Sequence, residues 1–190
     1  MRANAIDTMS DMVRFFYNFI RSPRQTGSIT PSSSFLARAM LKEINWKQVE
    51  TVVELGAGTG VFTKRIIQEM PKESRAIIFE RNPEMRERLK QKYPNLIIRE
   101  NATDLVKTIH ELGIVQVDAI ISGLPFANFP QTLRDEILAG VVQALKPNGI
   151  FVTFQYSLQM KKQLEQQFST VHLSYVPLNV PPAVVYTCYR

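Results

Sequence analysis

Glu54-Leu55-Gly56-Ala57-Gly58-Thr59-Gly60 is the stretch whose residue types and spacing point most sharply to chemistry. It follows an apolar run that reads as a strand and opens a segment that reads as a helix. Glycines in such a turn let the backbone bend tightly and approach a ligand with no Cβ in the way. A dinucleotide fingerprint needs G-x-G-x-x-G, whose third glycine permits close helix packing. Val61 or Thr63 stands at that third place, depending on the starting glycine, so the dinucleotide match fails. A second acid, Glu80, ends the next apolar run. In a doubly wound sheet an acid at that place accepts hydrogen bonds from ribose hydroxyls. The bland alternatives are a tight turn without a ligand and a solvated strand-end carboxylate. Their occurrence together in one unit makes both alternatives the weaker reading.

The elements that must position these groups follow from the hydrophobic pattern. From Thr51 onward, apolar runs alternate with helical segments. The runs are Thr51–Leu55, Ala76–Phe79, Leu96–Ile98, Val117–Ser122 and Gly149–Gln155. Helices are predicted over Val61–Met70, Pro83–Lys92, Asp104–Leu112 and Pro130–Leu145. This β-α-β-α order is the signature of a parallel, doubly wound α/β sheet. A helix near Leu158–Phe168 and strands Val171–Val176 and Ala183–Tyr189 complete it. The short Pro177–Pro182 connection pairs those two strands as an antiparallel hairpin. Residues 1–50 read differently. Ile6, Met9, Val13, Phe16 and Ile20 recur at helical spacing as one apolar stripe, and a second helix is predicted from about Ser32 to Ile44. The expected organisation is an N-terminal helical segment over 1–50 and a sheet domain over 51–190.

Composition sets the bounds. The chain has 190 residues, is 45% hydrophobic and 21% charged, and carries a net charge of +6, which suits one folded domain. A single cysteine, Cys188, excludes an internal disulfide framework. With only His110 and His172 beside it, no zinc-ligand set is present and no metal is expected. The lone cysteine suits a reducing compartment. The N-terminus lacks the pattern of a signal peptide, and no apolar stretch reaches the roughly 18 residues that span a bilayer. The basic balance permits nucleic acid or a membrane surface as an anionic partner without choosing between them. His110 is expected on a helix surface, Cys188 as a buried small hydrophobe, and Trp46 packed on the second helix. The charges of 86–92 are expected to form a solvated helix face.

The E-x-G-x-G-x-G spacing resembles the first motif of S-adenosylmethionine (AdoMet)-dependent methyltransferases. That resemblance implies a Rossmann-like class I methyltransferase fold, with a mostly parallel seven-stranded sheet and N-terminal helices. It implies AdoMet as cofactor, S-adenosylhomocysteine as product, and a site that collects one residue set. Glu54, Gly56, Ala57, Gly58 and Gly60 form the turn, and Glu80 and Arg81 lie at the second strand end. Asn101 and Ala102 stand where the family carries Asp-Ala against adenine. Ser122 ends the fourth strand and leads into Gly123-Leu124-Pro125-Phe126, where the family holds its methyl acceptor. Adenine amino methyltransferases show [DN]-[LP]-P-[YF] there. In that reading the acceptor amine sits over Leu124-Pro125-Phe126, backbone carbonyls of this proline-stiffened turn orient it, and the Phe126 ring faces the developing cation.

Over nearly the whole chain the sequence is similar to small bacterial phosphatidylethanolamine N-methyltransferases of the peripheral, non-spanning type. The residues that carry this are Phe19-Ile20-Arg21-Ser22-Pro23, Gly27 through Ser33, Ser122 through Pro130, and Asn179-Val180-Pro181-Pro182-Ala183. The resemblance implies methylation of an ethanolamine headgroup at a membrane surface, in the cytoplasm and peripheral on the inner membrane face. It implies no obligate protein partner. The 6–20 helix, flanked by Arg14, Arg21 and Arg24, is expected to contact lipid or to pack as a lid. Tyr17 on that helix is expected to meet the acceptor amine. The alternative is an rRNA adenine N6-dimethyltransferase, which shares the Leu-Pro-Phe-like loop and would make nucleic acid the partner. Such enzymes usually carry Asn where this chain has Gly123, and add a C-terminal helical domain for which the residues after Ser157 leave no room. A catalytically silent AdoMet-binding adaptor is the third reading, opposed by motifs at three successive strand ends.

Overall fold

A computed structural model describes residues 31–190. The expected helix over Ile6–Ile20, its arginines and Tyr17 lie outside the described residues. The chain begins with α1 (Pro31–Leu41) and a short 3-10 turn over Trp46–Gln48, then alternates. Its elements are β1 (Thr51–Leu55), α2 (Val61–Glu69), β2 (Arg75–Phe79), α3 (Pro83–Lys92), β3 (Ile97–Arg99) and α4 (Leu105–Glu111). There follow β4 (Val117–Ser122), α5 (Gln131–Ala144), β5 (Leu145–Gln155), α6 (Lys161–Gln167), β6 (Thr170–Val176) and β7 (Ala183–Tyr189). All seven strands form one sheet in the order β3-β2-β1-β4-β5-β7-β6. β1 to β5 run parallel, and β7 runs antiparallel between β5 and β6. The expected α/β sheet with a C-terminal antiparallel hairpin is the observed one.

The register shows why these strands are apolar on both sides. Val53 lies beside Ile77 and Ile120, and Ile120 beside Phe151, which faces Cys188. This row belongs to a core completed by Leu105 and Ile109 of α4, Ile137, Leu138 and Val141 of α5, and Leu164 of α6. The alternate row, Val52, Ile78, Ile121 and Val152, points the other way and is equally buried. Covering both faces of a parallel sheet is what makes its central strands continuous apolar runs. α1 packs against α2 and against β5, β6 and β7, so it belongs to the same compact unit, Pro31–Arg190. The division expected at residue 50 therefore falls inside that unit. The Trp46 indole N–H donates to the Leu41 carbonyl at 3.3 Å, closing the end of α1.

Local sequence accounts for most boundaries. α3 has little apolar content, and Leu89 alone of it is buried. It starts sharply because the Asn82 side chain accepts from the Met85 amide at 3.0 Å and Pro83 holds the first turn. Glu84 near its start and Lys90 and Lys92 near its end match the helix dipole. β5 departs from expectation: it begins at Leu145 rather than Gly149. Its ladder with β4 jumps from Val117–Leu145 to Ala119–Ile150, so the Lys146-Pro147-Asn148-Gly149 turn bulges out within the strand. Lys146 fastens the bulge by ion pairs to Glu50 at 2.7 Å and Asp118 at 2.8 Å.

Candidate functional site

The glycine turn sits at the carboxyl end of β1. Gly56 and Ala57 both donate their amides to the Phe79 carbonyl, at 2.8 and 3.1 Å, and Gly60 donates to Ala57 at 2.9 Å. Gly56 holds φ +77°, the left-handed region that a side chain disfavours. α2 then starts at Gly60 with no side-chain cap, so its first amides open onto the turn.

Glu80, at the end of β2, is almost fully buried. One carboxylate oxygen accepts from the Gly58 amide at 2.6 Å and the other from the Asn82 amide at 2.7 Å. A carboxylate has about four acceptor positions, so half its capacity is used in fixing the turn and half remains. Glu54 points to the α2 side of the sheet and is wholly buried. Its Oε2 accepts from the Thr63 hydroxyl at 2.5 Å, while Oε1 has no partner. Burial is the main cause that pushes its carboxyl up to about 7, with the Thr63 hydrogen bonds opposing and the Glu80 charge adding.

That shift makes Glu54 a pH-dependent weakness. The folded chain holds the proton more tightly than the unfolded chain, from the ordinary 4.5 up to about 7. Its stabilising contribution is full below pH 4.5 and is lost as pH rises through about 7. Glu54→Gln is therefore expected to stabilise the ligand-free protein at pH 8 by an order of 1–3 kcal/mol, and to leave stability at pH 4 little changed. Denaturant melts of both proteins at the two pH values check the sign.

Arg86 joins the two strand ends, a role the sequence reading missed. One guanidinium nitrogen donates to the Glu80 and Arg81 carbonyls, both at 3.0 Å, and another pairs with Glu100 at 3.0 Å. Its side chain is 18% exposed, so it leaves the solvated helix face to which residues 86–92 were assigned. A cation near the start of a helix opposes the dipole, and that was the available signal for a tertiary role. Asn101 follows Glu100 directly; it is exposed, and its side chain makes no capping bond. Ala102 is half-buried and Arg81 exposed. Arg86→Ala is expected to loosen both strand ends and raise the AdoMet dissociation constant by roughly tenfold, from a hydrogen-bonded charge of about 1.5–3 kcal/mol. Calorimetric titration is the check, with Arg86→Lys only partly restoring affinity because it lacks the fork.

The loop after β4 folds against the glycine turn. The Gly123 amide donates to the Leu55 carbonyl at 2.8 Å. A Cβ on Gly123 would stand 2.8 Å from the Gly56 carbonyl oxygen, so two backbones meet here with no room for any side chain. Buried Ser122 accepts at Oγ from the Leu124 amide at 3.2 Å and at its carbonyl from the Thr153 hydroxyl at 3.3 Å. Gln155, buried at the end of β5, clamps the loop further. Its amide nitrogen donates to the Leu124 carbonyl at 3.1 Å and its oxygen accepts from the Ala127 amide at 3.4 Å.

Two acceptor-loop assignments are corrected by this geometry. Phe126 is fully buried and packs edge-to-face on Phe129 and Phe151, so its ring presents no face to a substrate. The Leu124 carbonyl accepts from both the Phe126 amide and Gln155, which occupies both its lone pairs. It holds the loop rather than an amine. Pro125 is half-buried, with its carbonyl accepting from Asn128 at 2.9 Å. Gln155 could have been suspected as a polar amide at the carboxyl end of a buried parallel strand, where such sheets place ligands. Of the lesser candidates, His110 is exposed on α4, and Cys188 is buried with its thiol pushed up to about 12 by burial. Among the described residues no cluster of acids, histidines and cysteines could hold a metal ion.

This sheet order, with its glycine turn at β1 and a buried acid ending β2, defines a class I AdoMet-dependent methyltransferase fold. Residues 52–149 match the family described as "Methyltransferase domain". The chain is 32% identical over 188 residues to an ornithine lipid N-methyltransferase of Singulisphaera acidiphila, covering 95% of this chain and 96% of that one. The chain belongs to the AdoMet-dependent methyltransferase family and resembles bacterial lipid N-methyltransferases. Among solved structures it is similar to a Burkholderia thailandensis 1,6-didemethyltoxoflavin N1-methyltransferase with bound S-adenosylhomocysteine. That likeness has a TM-score of 0.64 at 15% identity, over 98% of this chain and 88% of that one. The N-methyltransferase NodS of Bradyrhizobium japonicum gives 0.63 at 15% identity, over 83% and 93%. AdoMet is thus the cofactor. The residues present fit it: an unpartnered buried carboxylate oxygen on Glu54, spare acceptor capacity on Glu80, and a turn whose three glycines carry no Cβ.

Proposed function

We propose that this protein transfers the methyl group of AdoMet to the amino group of a membrane-lipid headgroup, with phosphatidylethanolamine as the substrate. The observation that supports N-methylation of a lipid is the end-to-end similarity to the ornithine lipid N-methyltransferase, which extends well beyond the cofactor-binding half; the ethanolamine headgroup rests on the sequence resemblance carried by residues such as 122–130 and 179–183. That same relative favours a second reading, in which the amine belongs to an ornithine lipid. Both substrates present a primary amine on an amphiphile that stays in the bilayer. The enzyme accordingly works in the cytoplasm, peripheral on the inner membrane face. Among the described residues no helix is long and apolar enough to cross a membrane.

Bound AdoMet supplies an electrophilic methyl group on a sulfonium centre. The chain supplies everything else. Glu80 would accept from the ribose hydroxyls while keeping the Gly58 turn in place, and Glu54 Oε1 would accept from the ligand's amino group, whose charge would favour the ionised carboxylate. Asn101 and Ala102 would border the adenine. The loop from Ser122 to Phe126, held by Gln155 and Thr153, would border the acceptor amine and limit its approach, an orientation effect that uses neither the Leu124 carbonyl nor the Phe126 ring. Tyr17 remains the proposed amine partner from the N-terminal segment. The RNA reading is disfavoured at Gly123, where adenine dimethyltransferases usually carry Asn and where this chain's backbone leaves no room for a Cβ, 2.8 Å from the Gly56 carbonyl oxygen.

Expression in a bacterial host rich in phosphatidylethanolamine tests this in a membrane. Lipid extracts should show methylated phosphatidylethanolamine by mass spectrometry with the wild type and not with Glu80→Ala. Unchanged lipids beside newly methylated ribosomal adenine would reverse the assignment.

A further inference from the structure

The hairpin between β6 and β7 ends in a tip whose side chains are distributed against the usual rule. Asn179, the polar residue, is buried at 4% exposure, while its apolar neighbours Leu178 and Val180 are 61% and 69% exposed. The burial of Asn179 is organised. Its side-chain nitrogen donates to the Pro181 carbonyl at 2.6 Å, its amide donates to Val176 at 3.3 Å, and its side chain hydrogen-bonds the Tyr156 hydroxyl. Pro177, Pro181 and Pro182 narrow the backbone further. The tip is thus built to hold two apolar side chains in water, at a hydration cost that a soluble loop has no reason to bear.

Its place in the fold points to what relieves that cost. Val184 pairs with Gln155 and Val176 with Ala183, so the tip lies at the carboxyl end of β5, the end that carries the glycine turn and the acceptor loop. Gln155 bonds the acceptor loop, and the next residue, Tyr156, bonds Asn179. Tyr175 and Leu158, 66% and 56% exposed, extend the apolar surface at the same end. Lys161 and Lys162 follow Leu158 and are exposed at the start of α6, where the helix dipole opposes cations; Lys161 lies 3.7 Å from Glu165, and lipid phosphates would favour both.

We propose that the 177–182 tip is a membrane-docking element that inserts Leu178 and Val180 among lipid headgroups and seats the acceptor loop at the bilayer surface. This rests on the lipid reading above, since a headgroup amine can reach the site only if the mouth meets the bilayer. It is separate from any contact made by the N-terminal segment.

The test compares the full-length wild type, the double variant L178S/V180S, and Val115→Ser. Val115 is 77% exposed but precedes β4, at the amino end of the parallel strands and so the opposite end of the sheet from the tip, and it controls for general stickiness. Flotation with vesicles of equal parts phosphatidylethanolamine and phosphatidylglycerol should fall by roughly tenfold per lost tip side chain, with Val115→Ser unchanged. AdoMet affinity and melting temperature should match the wild type in both. A double variant that floats like the wild type would overturn the proposal. So would one that loses AdoMet binding in parallel, because the tip would then be structural, or one whose sole change is a lost self-association. Methyl transfer is scored separately in the same vesicles. Tip-dependent flotation with no methylated lipid would support docking and defeat the lipid-substrate reading. Methylated lipid with tip-independent flotation would do the reverse.

Discussion

Gly123→Ala, the addition of one methyl group, is expected to weaken AdoMet binding by roughly 10- to 100-fold, the equivalent of about 1–3 kcal/mol of overpacking. The new Cβ would stand 2.8 Å from the Gly56 carbonyl oxygen, and neither backbone is free to retreat. The Gly123 amide is bonded to Leu55, and the Gly56 amide is bonded to Phe79. The loop must therefore shift as a unit and carry the glycine turn with it. Gly56 cannot absorb the strain by changing conformation, because its φ of +77° is what aims the turn. Calorimetry with AdoMet and a thermal melt check this together: affinity should fall more than stability. Gly113→Ala is the companion, since no atom lies within 4 Å of its added Cβ although its φ is +71°. It should bind AdoMet normally.

Glu80→Ala is expected to raise the AdoMet dissociation constant by roughly 10- to 150-fold, the equivalent of about 1.5–3 kcal/mol for hydrogen bonds to a charged group. Two effects add. In the proposed site the ribose hydroxyls would lose their acceptor, and the Gly58 and Asn82 amides, bonded at 2.6 and 2.7 Å, lose theirs. Glu80→Gln separates them. One amide oxygen can still accept from one of these N–H groups, while its NH2 faces the other, so affinity should fall between the wild type and Glu80→Ala. An equilibrium titration of the three proteins gives the order.

The fold was legible because parallel strands buried on both faces leave long apolar runs. β1, β4, β7 and α3 have the bounds expected from sequence. The glycine turn and the acid ending β2 were legible because a tight strand-to-helix turn with close backbone approach demands particular residue types. What escaped was tertiary. Arg86 differs locally from Arg88 and Lys90 only in standing nearer the helix start, and its role exists only because β3 brings Glu100 beside it. Phe126 resembled a ring beside a substrate, yet the turn after β4 rotates it into the core. Gln155 stood out in sequence only as a polar amide at a strand end, and its clamp on the acceptor loop exists because β5 runs beside β4. The β5 bulge was hidden because Lys146-Pro147-Asn148-Gly149 reads as an ordinary turn, and only the ion pairs with Glu50 and Asp118 draw it into the ladder.

The most direct measurement is methyl transfer in a single competition. Purified full-length protein is given methyl-labelled AdoMet with phosphatidylethanolamine vesicles, ornithine lipid vesicles and ribosomal RNA, and the label is partitioned between the lipid and aqueous phases. The account predicts label in an amine-bearing lipid, greatest in phosphatidylethanolamine, and its loss with Glu80→Ala. Label in the RNA, or none in either phase while AdoMet is bound, would contradict it.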